Sequence, residues 1–461
     1  MTIRVNFVSL GCAKNLVDSE RLLALLAEAG MILVPPDDQA EVTIINTCSF
    51  IADARAEAFE AIDAALEQKE AGQTGHVVVA GCLAQHWGNK VRKRNPDIDA
   101  VVGLSSREQI AEIVQRVVED PNPGMKTSSS VFVEPFRNQI YDDRARLRLT
   151  EAGWAYLRIS EGCDRGCSFC TIPRIRGSFR SKDPQLILAE AEELVNDGAL
   201  ELNLIGQETT SYGLDIGYEG GLAQLLRQLN QINGLRWLRI LYAHPATINE
   251  ELITALAECE KAVAYVDMPL QHINNRILEL MNRRTTRQET VAILQKIRET
   301  IPDVALRTTM LVGFPSETDE EFTELLEFIK ELRFDALGAF MFSPEPGTRA
   351  AHLKKAVPQH IKRKRHERLM LTQQEIAFDL ADQMTGKTVD CLFHQELTQQ
   401  EISDLHLEDS QRWYRGRYAG QAPEMDSECY IGSDTELALD TITPVTITGR
   451  ADYDLVAVPT S

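Results

Sequence analysis

The chain lacks any apolar run long enough to cross a membrane, and it has no cationic start followed by a short apolar core. Basic residues are scarce, because 48 Lys and Arg stand against 69 Asp and Glu, a formal net charge of −21. A general grip on nucleic acid needs a basic surface, so this balance argues against one. Nine cysteines, an odd number in 461 residues, are unlike the paired set of a secreted disulfide scaffold. We therefore expect a protein of the reducing cytoplasm with no membrane partner.

The order of strand-like and helix-like segments predicts three folded regions and one linker. Residues 1–120 alternate strands and helices, which predicts a parallel α/β domain. Residues 121–149 contain a stretch rich in Pro, Gly and Ser and are expected to be a linker. Residues 150–380 predict a partial, six-unit TIM-like barrel with a trailing basic helix. Residues 381–461 are short, β-rich and turn-broken, which predicts a small antiparallel, OB-like β-barrel.

The central region contains six strand candidates separated by helical patterns. They are Trp154–Ser160, Glu201–Ile205, Trp237–Tyr242, Ala264–Met268, Val304–Val312 and Ala336–Phe342. In barrels of this kind functional groups lie at the C-terminal ends of the strands. The basic run Lys362–His366 follows on a helical pattern, where a solvated helix face is the usual interpretation and RNA contact the rarer one.

Three cysteines stand within eight positions directly after the first of these strands: Cys163, Cys167 and Cys170. Iron–sulfur cubes are normally held by four cysteine thiolates, so a loop of three leaves one iron open to a ligand that is not protein. A zinc ion is the alternative, but three ligands with no fourth Cys or His beside them do not close a structural tetrahedron. The spacing therefore favours a 4Fe-4S cluster.

A second set of three cysteines is dispersed in sequence but occurs in one repeated context. Cys12, Cys48 and Cys82 each follow a predicted strand of the N-terminal domain. Singly, each is best explained as a small buried hydrophobe. Ligands of open parallel sheets bind beyond the carboxyl ends of the strands, so the repeated placement favours a second three-thiolate cluster. For the other three cysteines core packing is the better interpretation: Cys259, Cys391 and Cys429.

These motifs resemble the methylthiotransferase branch of the radical S-adenosylmethionine enzymes over nearly the whole chain. The Cys-x-x-x-Cys-x-aromatic-Cys loop, with Phe169 as the aromatic residue, is the signature of that superfamily. The N-terminal three-cysteine domain and the terminal barrel, called a TRAM domain, mark the branch. Gly206-Gln207-Glu208, after the second barrel strand, is similar to the motif that meets the amino group of S-adenosylmethionine. The resemblance implies that these three residues and Phe169 lie at the cofactor.

The resemblance also implies a substrate. The stretches Ser9–Glu20, Ile172–Gly177 and Pro269–His272 are similar to the enzymes that modify an aspartate of the small-subunit ribosomal protein S-twelve. It implies that a radical made at the Cys163, Cys167 and Cys170 cluster removes hydrogen from the aspartate β-carbon. Sulfur would come through the second cluster and methyl from a second S-adenosylmethionine, with a flavodoxin- or ferredoxin-like electron donor.

The charge of the last domain tests the substrate independently. Residues 381–461 contain five basic and fifteen acidic side chains, a formal charge of −10. A barrel of that charge would repel phosphate and attract a basic ribosomal protein, although acidity can also serve solubility alone. Two alternatives stay open. One is the same chemistry on an adenosine of transfer RNA, and the other is a non-enzymatic metal or electron carrier that uses the six thiols.

Overall fold

A computed structural model describes residues 2–36, 38–119, 130–136, 140, 142–408 and 411–460. The chain divides into two compact units. The first contains Met1–Leu149, Ser160–Lys182 and Glu345–Thr348, and the second contains Thr150–Ile159, Asp183–Pro344 and Arg349–Ser461. Residues 121–129, 137–139 and 141 of the predicted linker lie outside the described residues.

Six parallel strands form the sheet of the first unit in the part of the chain that the structure describes. They are β1 (Arg4–Ser9), β2 (Ile32–Val34), β3 (Ala40–Thr47), β4 (Thr74–Gly81), β5 (Ala100–Gly103) and β6 (Val131–Phe132), in the order β2-β1-β3-β4-β5-β6. The helices between them are α1 (Ala13–Glu28), α2 (Ala52–Glu70), α3 (Cys82–Arg94) and α4 (Ile110–Glu119). The predicted parallel α/β domain is confirmed.

Both faces of this sheet are buried, as a parallel sheet requires. Along β4, Val78 and Ala80 pack in one apolar cluster with side chains of α1 and α4. Val77 and Val79 pack in a second cluster with side chains of α2 and α3. The alternation follows from the two-residue period of a strand, and it explains why β4 is a continuous apolar run in the sequence.

The three-cysteine loop also belongs to the first unit, although the strand before it does not. After β7 (Trp154–Arg158) the chain forms β8 (Ser160–Glu161), the one-turn helix α5 (Ile172–Ile175) and β9 (Arg180–Ser181). Strands β8 and β9 pair antiparallel, so they close the neck of the loop that contains the cysteines.

The second unit begins with a partial barrel of parallel strands. Its strands are β7, β10 (Glu201–Ile205), β11 (Trp237–Ile240), β12 (Tyr265–Asp267), β13 (Ala305–Val312) and β14 (Ala336–Met341). They pair as β7-β10-β11 and β12-β13-β14, and a Leu238–Ala262 bridge joins the two groups. The helices are α6 (Pro184–Asn196), α7 (Gly221–Leu229), α8 (Glu250–Glu258), α9 (Asn275–Met281), α10 (Arg287–Thr300), α11 (Asp319–Leu332) and α12 (Gln359–Asp382). All six predicted strands are confirmed.

A closed five-stranded barrel completes the described part of the second unit. It contains β15 (Thr388–Glu396), the helix α13 (Gln399–Asp404), β16 (Arg412–Tyr418), β17 (Cys429–Ser433), β18 (Thr441–Ala451) and β19 (Asp454–Pro459). The predicted small barrel is confirmed, with the difference that β17 and β19 pair parallel. Cys391 and Cys429 are fully buried in its core, as expected.

Buried charges attach this terminal barrel to the partial barrel within the second unit. Glu201, the first residue of β10, accepts hydrogen bonds from Arg239 Nε and Arg417 Nη2, both at 2.8 Å. All three side chains are almost inaccessible to solvent. Asp426 accepts a hydrogen bond from the Tyr265 hydroxyl at 2.7 Å. Glu201 and Tyr265 begin their strands, so the terminal barrel packs at the end of the partial barrel opposite the strand ends where function is expected.

No helix in the described residues is both long and apolar enough to cross a membrane.

Candidate active site

The three dispersed cysteines lie at the carboxyl ends of neighbouring strands. Cys12 follows β1 and caps α1, Cys48 follows β3, and Cys82 follows β4 as the first residue of α3. A Cβ added to Gly11 would lie 3.0 Å from the Cβ of Cys48, which shows how closely the turn after β1 approaches the turn after β3. The structure therefore brings the predicted thiols to one edge of the sheet.

Polar side chains and one glycine shape this edge. Gly81 has φ +91°, and a Cβ there would lie 2.2 Å from Asn46 Oδ1, so a side chain at position 81 is excluded. Asn46 Nδ2 donates hydrogen bonds to Asn15 O at 3.1 Å and Ser19 Oγ at 2.8 Å. Asn15 Oδ1 lies 3.8 Å from Cys82 Sγ and accepts from it. These contacts hold the turns that carry Cys12 and Cys82.

The protein opposes ionisation of two of these thiols and favours it in the third. Burial raises the pKa of Cys82 to about 12, although the charge of Arg176 opposes the rise. Burial also raises the pKa of Cys48. Cys12 is exposed, and its pKa is lowered, because the charges of Lys14 and Arg176 and nearby backbone N–H groups outweigh desolvation by the surrounding protein. Thiols bind metals as thiolates, so the charge of a bound cluster would stabilise the form that burial opposes.

The three-cysteine loop has a close-packed neck and N–H groups that face two of its sulfurs. Gly162 has φ +76°, and a Cβ there would lie 2.0 Å from the carbonyl oxygen of Ser178. The backbone N–H of Arg165 donates to Cys163 Sγ at 3.5 Å, and that of Ile172 donates to Cys170 Sγ at 3.4 Å. Such N–H···S contacts stabilise thiolates and tune iron–sulfur clusters.

Arg176 connects the two cysteine sets inside the first unit. Its Nη2 donates to Cys82 Sγ at 3.2 Å, and its Nη1 donates to Glu161 Oε1 at 2.8 Å, two residues before Cys163. Asp18 of α1 lies 2.8 Å from the same Nη1 atom. Sequence reasoning assigned Arg176 and Asp18 no role, although both lie in the stretches used for the family resemblance.

The donor set suits a cluster better than a single ion. Among the described residues, no three or more His, Cys, Asp or Glu side chains are grouped as a ligand set for one metal ion. Ligands of zinc must surround one atom at about 2.0–2.3 Å. The thiolates of a cube bind different iron atoms and lie farther apart. The donor chemistry fits an iron–sulfur cluster, because backbone N–H groups contact Cys163 and Cys170 and a guanidinium contacts Cys82.

The residues predicted to contact S-adenosylmethionine lie in two different parts of the chain. Phe169 is half-buried in the cysteine loop. In the second unit, Gly206, Gln207 and Glu208 directly follow β10, at the carboxyl end of a barrel strand. Glu208 is 2% exposed, and its Oε1 accepts hydrogen bonds from Thr210 Oγ1 at 2.5 Å and the backbone N–H of Ser211 at 2.9 Å. These bonds fix the turn in which the motif lies.

The basic run on α12 differs from the predicted solvated face. Lys362 is buried and donates from Nζ to the carbonyl oxygen of Phe342 at 2.6 Å. Arg365 is buried and donates to Glu317 Oε1 at 2.8 Å and Asp319 Oδ1 at 2.7 Å. His366 Nε2 lies 3.0 Å from the carbonyl oxygen of Ala339 in β14. Three of the five residues therefore attach α12 to the barrel.

The arginines of the terminal barrel are also paired with carboxylates. The contacts are Arg412 with Glu396 at 3.3 Å, Arg415 with Glu428 at 3.0 Å, Arg417 with Glu201 at 2.8 Å and Arg450 with Asp382 at 2.8 Å. Phosphate binding by these side chains would have to compete with their carboxylate partners.

Comparison with known proteins assigns the chain to a family. Family models described as "Uncharacterized protein family UPF0004", "Radical SAM superfamily" and "TRAM domain" match residues 4–103, 157–329 and 386–459. A protein of Pelotomaculum thermopropionicum named "Ribosomal protein uS12 methylthiotransferase RimO" is 39% identical, over 99% of this chain and 99% of its own. The chain belongs to the RimO family. RimO proteins of Geobacter sulfurreducens and Clostridioides difficile are 38% and 37% identical, each over 98% of both chains.

Solved structures support the fold of this RimO-family chain. The radical S-adenosylmethionine methyltransferase TsrM from Kitasatospora setae matches with a TM-score of 0.57 and 16% identity, over 85% of this chain and 81% of that one. The radical enzyme OxsB matches with a TM-score of 0.53 and 14% identity, over 82% of this chain and 56% of that one. At such identities the likeness concerns architecture alone.

Proposed function

We propose that the chain is a radical S-adenosylmethionine methylthiotransferase, which adds a methylthio group to the β-carbon of an aspartate in ribosomal protein uS12. The observation that carries the proposal is the loop of Cys163, Cys167 and Cys170. Its two ends approach closely at Gly162, and backbone N–H groups donate hydrogen bonds to two of its sulfurs. Three thiolates leave a cube with one iron open for S-adenosylmethionine. The RimO name carried by relatives over the full length specifies the substrate.

Each thiol triad would hold one 4Fe-4S cluster. When bound, the clusters and S-adenosylmethionine supply the radical and sulfur chemistry. The chain's own residues position these groups: Cys163, Cys167 and Cys170 as ligands of the first cluster, and Cys12, Cys48 and Cys82 as ligands of the second. A flavodoxin- or ferredoxin-like protein would supply the electron. Modification of a ribosomal protein would take place in the cytoplasm.

The S-adenosylmethionine contacts are carried by the carboxyl ends of the barrel strands. Gly206 has no side chain, so the backbone after β10 can approach a ligand closely. Gln207 is half-buried in the same turn, and its amide can donate to a carboxylate and accept from an ammonium group. Glu208 supplies the negative charge that an amino group requires. Phe169 would pack beside the cluster.

Charge favours a basic protein over transfer RNA as the substrate. The terminal barrel carries a formal charge of −10, and its arginines contact carboxylates. The buried Lys362 and Arg365 of α12 already contact the barrel, which weakens the case for this helix as an RNA grip. We propose that exposed carboxylates of the terminal barrel attract uS12, because opposite charges steer association and like charges disfavour the wrong partner.

The two substrates can be compared directly in one assay. Reconstituted enzyme, dithionite and S-adenosylmethionine are incubated with either recombinant uS12 or unmodified transfer RNA, and each product is analysed by mass spectrometry. We expect a methylthio group on one aspartate of uS12 and none on adenosine. Raising the salt concentration should slow the reaction with uS12, because screening weakens attraction between exposed charges. Methylthiolated adenosine with unmodified uS12 would overturn the proposed substrate.

A further inference from the structure

Arg176 is a buried cation with three acceptors, one of which is a proposed cluster ligand. It is 3% exposed, and its Nη2 donates to Cys82 Sγ at 3.2 Å. Its Nη1 contacts Glu161 and Asp18, each at 2.8 Å. A planar guanidinium can serve several acceptors in fixed directions, whereas an ammonium group is a point charge on a flexible stem. The orientation of the N–H toward the sulfur is therefore set by the two carboxylates.

These carboxylates belong to a longer buried network of the first unit. Asp18 also pairs with Arg107, which contacts Asp143 Oδ1 at 3.0 Å. Lys182 Nζ contacts Asp143 Oδ2, also at 3.0 Å. Glu108 also joins the network, because its Oε1 lies 3.3 Å from Arg107 Nε. Cations and carboxylates therefore contact one another around Arg176: Arg107, Lys182, Asp18, Glu108, Asp143 and Glu161. The carboxylates of Asp18 and Glu161 stabilise the buried charge of Arg176, whose guanidinium remains in direct contact with the Cys82 sulfur.

We propose that Arg176 is a positioning residue of the N-terminal cluster, which holds the Cys82 sulfur by an N–H···S hydrogen bond and makes that cluster easier to reduce. The inference rests on the proposed second cluster. Hydrogen bonds to cysteine sulfurs and nearby positive charge are two means by which a protein sets the potential of an iron–sulfur centre. A reduced cluster carries one more negative charge, so both effects favour it. Reduction takes one electron from the donor and transfers no atom.

The same contacts give Arg176 a second consequence. Glu161 precedes the three-cysteine loop and Asp18 lies on the helix that Cys12 caps, so a single side chain fixes elements of both triads. Lysine at position 176 would keep the positive charge, but it could not donate hydrogen bonds to the sulfur and to both carboxylates in the fixed directions of a guanidinium. Glutamine would keep an N–H donor but leave the two carboxylates without this cation. The two variants therefore separate the hydrogen-bond geometry from the charge.

The experiment isolates the N-terminal cluster. In a background with Cys163→Ala, Cys167→Ala and Cys170→Ala, only the other triad can hold a cluster. The background protein and its Arg176→Lys and Arg176→Gln variants are reconstituted without oxygen, analysed for iron and sulfide, and titrated with dithionite while the reduced signal is followed by EPR. Arg174→Gln is the matched control, because Arg174 is an exposed cation of the short helix α5, which ends just before Arg176.

We expect both Arg176 variants to shift the midpoint potential to more negative values, the glutamine variant more than the lysine variant, and Arg174→Gln to leave it unchanged. A second measurement needs no substitution at position 176. Pulsed EPR of the reduced background protein, labelled with ¹⁵N-arginine, should show coupling between the cluster and a guanidinium nitrogen. Iron bound with no such coupling, or with an unchanged potential in both variants, would overturn the role of Arg176 alone. A background protein that binds no iron would refute the second cluster and this role with it.

Discussion

Replacing Cys167 by alanine should abolish release of 5′-deoxyadenosine from S-adenosylmethionine, whereas replacing Cys48 by alanine should preserve that release and abolish methylthiolation. The first change leaves two thiolates in the loop, which cannot hold a cube with a single open iron. The second removes a ligand at the carboxyl edge of the N-terminal sheet and leaves the Cys163, Cys167 and Cys170 loop intact. Both products can be measured in one reaction, the nucleoside by chromatography and modified uS12 by mass spectrometry.

Cys259→Ala is the matched control for this pair. Cys259 is 5% exposed and packs in the core of the second unit, so its loss removes a buried thiol without touching either triad. We expect this variant to retain both reactions. Circular dichroism of all three variants would show whether they are folded. Sulfur transfer by Cys48→Ala at the parent rate would refute the division of labour, and cleavage by Cys167→Ala would refute the loop as the cluster site.

Replacing Glu201 by glutamine should destabilise the second unit by about 3–5 kcal/mol. Glu201 is fully buried, and it accepts hydrogen bonds from Arg239 of the partial barrel and Arg417 of the terminal barrel. Glutamine keeps the shape and removes the charge, so two buried guanidinium groups would lose their shared counter-ion. Urea unfolding followed by tryptophan fluorescence can report this, because Trp154, Trp237 and Trp413 all belong to the second unit.

The effect of this substitution should depend on pH. Burial alone would raise the pKa of Glu201, but the charges of Arg417 and Arg239 outweigh it and lower the pKa. A lowered pKa contributes stability above the unfolded value, about 4.3 for a glutamate, and the contribution is lost as pH falls through the folded value. The difference between parent and variant should therefore be full at pH 7 and shrink below about pH 4.

Glu260→Gln is the control for the stability measurement. Glu260 is an exposed glutamate of the same unit, and such surface substitutions usually change stability by no more than about 0.5 kcal/mol. Equal losses in Glu201→Gln and Glu260→Gln would show that the buried network does not attach the terminal barrel. A loss in Glu201→Gln that stays constant with falling pH would show that the charge of Glu201 is not its cause.

Hydrophobic pattern was enough to predict the architecture, because buried parallel strands are continuous apolar runs. Glu201–Ile205 was predicted at its observed bounds, and the other five barrel strands differ by a few residues at their ends. Three elements of the N-terminal sheet and its helices were missed. Strand β6 (Val131–Phe132) lies within residues 121–149, which were expected to be a linker. Strand β2 (Ile32–Val34) has only three residues, and α3 (Cys82–Arg94) carries many polar and basic side chains with little apolar period. Short or polar elements owe their structure to neighbours that the local sequence does not reveal.

Charged residues were the hardest to interpret, because burial cannot be read from a charge run. The basic run Lys362–His366 predicted a solvated helix face. Instead, Lys362 is buried against a carbonyl oxygen and Arg365 is buried against two carboxylates. Their acceptors lie 20 to 48 positions away in the sequence. For the same reason the stretch Ile172–Gly177 does not by itself reveal the contacts of Arg176. Its partners Cys82 and Asp18 come from distant segments that only the fold brings together.

The positions of the dispersed cysteines could be predicted from the sequence, and their role as cluster ligands stays a prediction. The repeated occurrence after a strand predicts that Cys12, Cys48 and Cys82 lie at one edge of the sheet, where the structure has them. The local spacing of Cys163, Cys167 and Cys170 predicts that they lie on one loop. In a parallel sheet the carboxyl ends of adjacent strands lie at the same edge. Residues that follow such strands are therefore expected to lie near one another, even when they are far apart in the sequence. The glycines that make room for these turns, such as Gly81 and Gly162, required the backbone angles and close approaches seen in the structure.

The central claim is that three loop thiolates leave one iron open to S-adenosylmethionine. The direct measurement uses a variant with Cys12→Ala, Cys48→Ala and Cys82→Ala, reconstituted without oxygen, reduced with dithionite and observed by EPR before and after S-adenosylmethionine is added. Coordination at an iron should change the EPR signal, and methyl-labelled ¹³C S-adenosylmethionine should show hyperfine coupling to the cluster. An unchanged signal without coupling, from protein that holds a full complement of iron, would contradict the account.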